Sequence, residues 1–303
     1  MPSSRSERPN GGEAEGTAVS FERLVGLRQA AARRRKRVET GIAQVGGFAG
    51  RRRGMGLEIR DVRAFEDGDD MRYADPAVTA RTGRLHVRTF HAEEDRAVLL
   101  LADFRRSMLW GTRRRLRSVA AAEALAAVGW QAVDAGAKVG LLVQRTGDME
   151  FVSPREHWRA MIGICANLVR SHTLALEDAE RGAGTMPPIG EALERASRLV
   201  PMGTRIVLAS GLDGPPIAAA PSATELLHRH RLVVLKINDA VEHSPPTEAL
   251  AYFGEDGVMG EGRFSPGLDD ERERTEHLTR LGASIHSVNA DQDFYELHRL
   301  EIV

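Results

Sequence analysis

The stretch "LLLADFRRSMLWG", residues 99–111, decides how this chain folds. Its unbroken apolar run ends in Asp103 and passes into a turn that carries Arg105, Arg106 and Ser107. A short apolar run without alternation reads as a strand covered on both faces, as in a parallel sheet. This first strand is expected over 96–103, with further ones near 137–144, 204–210, 231–238 and 283–288. Between them, apolar residues recur at helical spacing. Leu116, Val119, Ala122, Leu125 and Val128 line one side of a helix over 113–135, and Trp158, Met161, Ile162, Cys165 and Leu168 do so over 154–171. Residues 191–199, 224–230, 269–281 and 292–300 are also expected to be helical. The alternation predicts a doubly wound, mainly parallel α/β domain. In such a fold ligands bind beyond the carboxyl ends of the strands, at the point where strand order reverses. Asp103 stands at one such end.

Upstream of this domain the pattern changes. Residues 1–18 are rich in Ser, Gly, Pro and charge, too poor in apolar positions to offset ordering entropy, and are expected to be a disordered tail. Phe21, Leu24, Val25, Leu27 and Ala31 fall near helical spacing, so one amphipathic helix is expected over 20–39, with Ser20 as a candidate N-cap. A Gly-rich link and a charged, Gly-punctuated segment follow. The expected division is a tail over 1–18, an N-terminal helix with a charged, irregular segment over 19–94, and the α/β domain over 95–303.

The 303 residues include 42 Lys+Arg and 43 Asp+Glu, a balance that gives no global attraction to nucleic acid or an anionic membrane. Only Lys36, Lys138 and Lys236 are lysines, so a given Arg carries little information by its type alone. Arg33–Arg37 and Arg51–Arg53 form basic runs, but no aromatic residues are interleaved for base stacking, and a solvated helix end is the better reading. No nucleic-acid partner is expected. Cys165 is the only cysteine, which excludes an intramolecular disulfide and a multi-cysteine zinc site and suits a cytoplasmic compartment. On its apolar helix face it reads as core rather than nucleophile. His228 and His230 are too isolated to suggest a metal. No signal peptide, membrane span, phosphate loop or Gly-x-Ser-x-Gly turn is visible, so neither membrane insertion nor these catalytic classes are expected.

Residues 54–88, "GMGLEIRDVRAFEDGDDMRYADPAVTARTGRLHVR", hold the most specific motif. Gly54, Gly56, Glu58, Arg63, Gly68, Asp69, Asp70, Arg72, Asp75, Ala80, Arg81, Leu85, Val87 and Arg88 match at fixed spacing the signature of the bacterial domain of unknown function 58 family, which the segment resembles. Ile59, Phe65, Ala74 and Pro76 depart from it. The acids and arginines here suit bidentate pairs that fasten a loop. Counting an EF-hand loop from Asp67 puts Arg72 where Gly is needed and Val78 where Glu is needed, so that reading fails.

The second part of that family is similar to a von Willebrand factor A domain, and the fold implied is the doubly wound sheet already read from the strands. Such domains often hold a divalent ion on an Asp-x-Ser-x-Ser loop, a Thr before a later helix and an Asp after the fourth strand. Here Asp103 and Ser107 match, Arg105 replaces the first Ser, Pro187 stands at the Thr position with Thr185 two residues away, and Gly211 replaces the Asp, with Asp213 the nearest acid. A guanidinium about 4 Å from a divalent ion is repelled by roughly 8 kcal/mol at an effective dielectric near 20. That is comparable to the binding free energy of a micromolar site. The resemblance therefore implies a degenerate site at Asp103, Ser107 and Asp213, with no cofactor expected and Mg2+ disfavoured. For Arg105 two readings stay open: it pairs with Asp103 and supplies charge that an ion would have brought, or it points to solvent.

What the resemblance implies for function is a non-enzymatic adaptor or co-chaperone. Its partners would be a MoxR-type AAA+ ATPase and a client protein complex that the two mature or activate, methanol dehydrogenase being one such client type. The competing reading is a divalent-metal-dependent ligand-binding or sensor domain using Asp103, Ser107 and Asp213.

Overall fold

A computed structural model describes residues 14–28, 59–66, 71, 74–90, 97–182, 186–214, 222–245, 248–253, 259–262 and 275–294. The chain divides into two compact units, Glu39–Arg96 and Met1–Val38 with Ala97–Val303. The strands are β1 Ile59–Ala64, β2 His86–Phe90, β3 Ala97–Asp103, β4 Lys138–Gln144, β5 Met149–Arg155, β6 Arg205–Ser210, β7 Arg231–Asn238, β8 Leu250–Phe253, β9 Met259–Gly262 and β10 Ser284–Asn289. The helices are α1 Ala14–Thr17, α2 over 21–28, α3 Pro76–Thr82, α4 Arg117–Asp134, α5 Trp158–Glu180, α6 Ile189–Leu199, α7 Ser222–Arg229, α8 Ala240–His243 and α9 over 275–280.

In the smaller unit β1 and β2 pair antiparallel, with α3 between them in sequence. The segment expected to be irregular is thus regular in its described part. Asp75 is the N-cap of α3: one carboxylate oxygen accepts from the backbone N–H groups of Ala77 and Val78, both at 3.0 Å, and Pro76 opens the helix where a missing N–H is harmless. Gly83 ends it with φ 69°, a left-handed conformation that glycine takes without penalty.

The larger unit holds a six-stranded sheet in the order β10-β7-β6-β3-β4-β5, parallel except for β5, which pairs antiparallel with β4 at the edge. This is the doubly wound, mainly parallel α/β fold. Strand order reverses between β3 and β6, so the crevice at the switch point lies between the ends that carry Asp103 and Ser210. Alternate strand residues feed two cores. Leu100, Ala102, Leu141, Val143 and Val207 face the α4 and α5 side, and Leu99, Leu101, Leu142, Ile206 and Leu208 face the α6 and α7 side. At Gly129 a Cβ would lie 2.6 Å from the Met161 sulfur, so the glycine lets α4 approach α5.

Other expectations change as well. Residues 113–116 belong to the loop before α4, and the helix begins at Arg117, where the backbone N–H donates to the Trp110 carbonyl at 2.8 Å. Residues 154–155 close β5 rather than open a helix, and α5 starts at Trp158 and runs on to Glu180. Residues 14–18, expected within the tail, begin with α1 and carry a Gly16 carbonyl that accepts from the Leu116 N–H at 2.9 Å. The N-terminal residues 14–28 pack in the larger unit. Leu24 and Leu27 enter its core, the Trp130 Nε1–H donates to the Leu24 carbonyl at 2.9 Å, and Arg28 stacks over the Trp130 ring at 5.2 Å. Under that cover α4 is buried on every side except at Gln131, Val133 and Asp134, not amphipathic as its spacing suggests. Glu123 on α4 ties the ends together: it takes the Arg23 Nε–H at 2.6 Å and pairs with Arg115, whose guanidinium also donates to the Gln292 carbonyl at 3.0 Å. Among the described residues no helix is long and apolar enough to cross a membrane.

Candidate functional site

The site is built at the carboxyl ends of β3, β6 and β7. β3 delivers Asp103 fully buried, and the backbone turns at Phe104, whose N–H donates to the Gln144 carbonyl at 2.8 Å. That turn brings Arg105 back onto the carboxylate. The Arg105 backbone N–H and Nε–H donate to Asp103 Oδ1 at 3.1 and 2.8 Å, and Nη2 donates to Oδ2 at 2.8 Å. Ser210 Oγ, from the end of β6, donates to Oδ2 at 2.6 Å. The remaining donors of Arg105 reach two other loops: Nη1 to the Pro187 carbonyl at 2.9 Å, and Nη2 to the Asp213 carbonyl at 3.3 Å. Arg105 is 0% exposed, so of its two readings the solvent-facing one is overturned and the pairing with Asp103 stands. Burial opposes its charge, but the hydrogen bonds and charge of Asp103, with the charge of Asp213, outweigh that and hold the guanidinium above its ordinary range.

A second buried guanidinium was not foreseen. Arg117, the first residue of α4, donates from Nε to the Ile237 carbonyl at 3.2 Å and from Nη1 to Asp213 Oδ1 at 3.4 Å. Its Nη2 lies 3.3 Å from Asp213 Oδ2, an ion pair without hydrogen-bond alignment, and Glu242 of α8 is 3.7 Å from Nη1. The Trp110 ring stacks on it at 5.2 Å. This guanidinium fills the space beside Gly211: a Cβ there would lie 1.3 Å from Arg117 Nη2. The substitution of Gly211 was therefore a usable signal, because a position stripped of its side chain points to something else in its place.

Ser107 sits in a short 3-10 turn, Arg106–Met108, and its buried Oγ makes no hydrogen bond among the described residues. Thr185 lies outside the described residues. Leu212 adopts φ 61° in the turn after β6, held there by the Ser210 Oγ that accepts its N–H at 3.0 Å and by burial of its side chain in the second core. For a leucine that conformation costs about 1–2 kcal/mol, which the surrounding contacts sustain.

The family-signature residues are placed unevenly. Glu58, Gly68, Asp69, Asp70 and Arg72 lie outside the described residues. Arg63 donates from Nη1 to the Ala64 carbonyl at 3.0 Å and lies 3.6 Å from Glu66, Asp75 caps α3, Arg81 is exposed in the last turn of α3, and Arg88 stands opposite Val62 on β2. The basic runs at 33–37 and 51–53 also lie outside the described residues. His228 is exposed, and His230 is buried beside the Ser197 carbonyl at 3.2 Å, where desolvation pushes its ring below the usual range.

A divalent ion, which the fold resemblance implies at Asp103, does not fit these residues. A carboxylate offers about four lone-pair sites, and four donors occupy those of Asp103. Arg105 and Arg117 offset the charges of Asp103 and Asp213, and Arg105 with Ser210 takes up the hydrogen-bonding capacity of Asp103. The crevice holds an ionic network of two arginines and two aspartates.

A family model described as "Protein of unknown function DUF58" matches residues 61–256. Relatives include the uncharacterized protein Rv1480 of Mycobacterium tuberculosis (strain ATCC 25618 / H37Rv) and the uncharacterized protein Mb1516 of Mycobacterium bovis, each 26% identical over 80% of this chain and 77% of the relative. Among solved structures, the SpRpn10 VWA domain is similar at TM-score 0.41 and 12% identity over 68% of this chain and 96% of that one. A D319A mutant of the PilB minor pilin from Streptococcus sanguinis is similar at TM-score 0.43 and 12% identity over 71% and 62%.

Proposed function

The chain belongs to the DUF58 family, and we propose that it is a non-enzymatic, cytoplasmic protein-interaction component that works with a MoxR-type AAA+ ATPase to mature or activate a client protein complex. The observation that supports this reading is the closure of the switch-point crevice. In an α/β enzyme or small-molecule receptor, polar groups at the strand ends face a ligand. Here the Asp103 carboxylate and the Arg105 guanidinium are fully buried and bound to each other and to neighbouring carbonyls. Such a crevice serves as a rigid base for the loops around it, and rigid loops suit the presentation of a surface to another protein. A client of methanol dehydrogenase type is one form of the proposal.

Affinity capture of the tagged chain from its native lysate, in ATP, in ADP and without nucleotide, tests the reading. The expected result is an AAA+ ATPase identified by mass spectrometry and enriched in at least one nucleotide state. Recovery of no such ATPase in any state overturns it.

A further inference from the structure

The oxygens gathered around the head of Arg105 are those a hard cation takes. They are a carboxylate, Asp103, and two backbone carbonyls, Pro187 and Asp213, with the hydroxyl of Ser210 on the same carboxylate. These groups come from three separated places: the end of β3, the segment before α6 and the turn after β6. No hydrogen bond in the described structure joins Pro187 directly to Asp103 or Asp213, and Arg105 donates to all three. Arg117 extends the lacing to β7 and α8 through Ile237 and Glu242.

We propose that the Arg105 guanidinium is the resident cation of this oxygen cluster: it fixes the loops at the carboxyl ends of the strands in one arrangement without a divalent ion, and its removal converts the cluster into a divalent-metal site. A guanidinium matches such a cluster by direction, since its planar fork gives two donors to Asp103 along one edge and further donors to the two carbonyls. A metal ion can leave, and an arginine cannot. The face is therefore constitutively set, and its binding of any partner is insensitive to chelators. This inference does not depend on which partner the chain engages.

Arg105→Ser tests it. The substitution withdraws the cation and adds a hydroxyl, leaving Asp103, the introduced hydroxyl, Ser210 and the two carbonyls as oxygen ligands. Calorimetric titration with Mn2+ is expected to give one site with a dissociation constant on the order of 10⁻⁴–10⁻³ M, the range of weakly charged oxygen sites. The wild-type chain is expected to show no such site. A folded Arg105→Ser variant that binds no Mn2+ overturns the proposal. Where that variant fails to fold, the wild-type chain decides, with Mn2+ broadening of amide resonances as the readout. Broadening confined to residues 104–108 and 210–214 at sub-millimolar Mn2+ shows an ion at Asp103 despite Arg105 and overturns the proposal. Unbroadened resonances there, with a melting temperature unmoved by EDTA, support it.

Discussion

Replacing Gly211 with alanine tests the second guanidinium directly. The added Cβ would fall 1.3 Å from Arg117 Nη2, 2.3 Å from its Cζ and 2.5 Å from Asp213 Oδ2. The end of a long side chain usually moves aside at small cost, and this one does not have that freedom. Arg117 is 2% exposed, donates to the Ile237 carbonyl and to Asp213, and lies under the Trp110 ring. To admit the methyl group it must give up these partners while its charge stays buried. Breaking a buried pair in that way costs about 3–5 kcal/mol. With a urea dependence of about 2–3 kcal/mol per molar for a domain of this size, the unfolding midpoint should fall by about 1–2.5 M. A double-mutant cycle isolates the cause: in an Arg117→Ala background the methyl group enters vacated space, so Gly211→Ala should then cost under about 1 kcal/mol, an interaction well outside the additive range. Equal costs in the two backgrounds, or a wild-type cost below about 1 kcal/mol, would refute the claim that Gly211 exists to admit Arg117.

Acid should weaken the larger unit through His172, which is 1% exposed, bonded through Nε2 to Ser118 Oγ at 2.9 Å and edge-on to Phe104. Burial pushes its ring down to about 4 against the usual 6.5, so the unfolded chain binds the proton first. Stability is full above about pH 6.5 and falls by up to about 3 kcal/mol as pH drops to about 4. Chemical denaturation at stepped pH should show this slope, and His172→Gln should flatten it. Burial pushes the Cys165 thiol up to about 12, so iodoacetamide at about pH 8 should label it only after unfolding, and rapid labelling of the native chain would contradict its place in the core. Glu123→Gln leaves the charges of Arg23 and Arg115 without their shared carboxylate and should cost about 3–5 kcal/mol, with hydrogen exchange rising first over residues 21–28.

The parallel strands were legible to within about one residue: β3, β4, β6 and β7 are covered on both faces, which leaves a nearly uninterrupted apolar run between turn signals, while β10 is a partly exposed edge strand with a shorter apolar pattern. β5 was not legible for the opposite reason. It is a half-exposed edge strand containing Pro154, and its mixed pattern blends into the helix that follows. The N-terminal segment was misjudged in extent, since Gly16 and Val19 dock through a backbone carbonyl and one small side chain rather than an apolar stripe. At the site, Asp103 and Arg105 flank one turn, which made their pairing one of two open readings; the burial of Arg105 decides it. Arg117 was not legible, because an arginine at a helix start in an Arg-rich chain is ordinarily solvated. The bond from Ser210 to Asp103 depends on β3 and β6 being neighbours across the switch point, which no local pattern encodes.

The staple around Glu123 has a consequence for synthesis. Residues 21–28 leave the ribosome long before their partners: the carboxylate that takes Arg23 lies 100 positions later, and the indole that donates to Leu24 lies 106 later. Arg115 must wait a further 177 positions for the Gln292 carbonyl. Through that interval the apolar side of α2, with Leu24 and Leu27, has no core to enter, and loop-closure entropy makes its capture a late event. The nascent chain thus carries an uncovered apolar helix face until α4 has emerged, and is open during that time to chaperones or to mispairing with another copy.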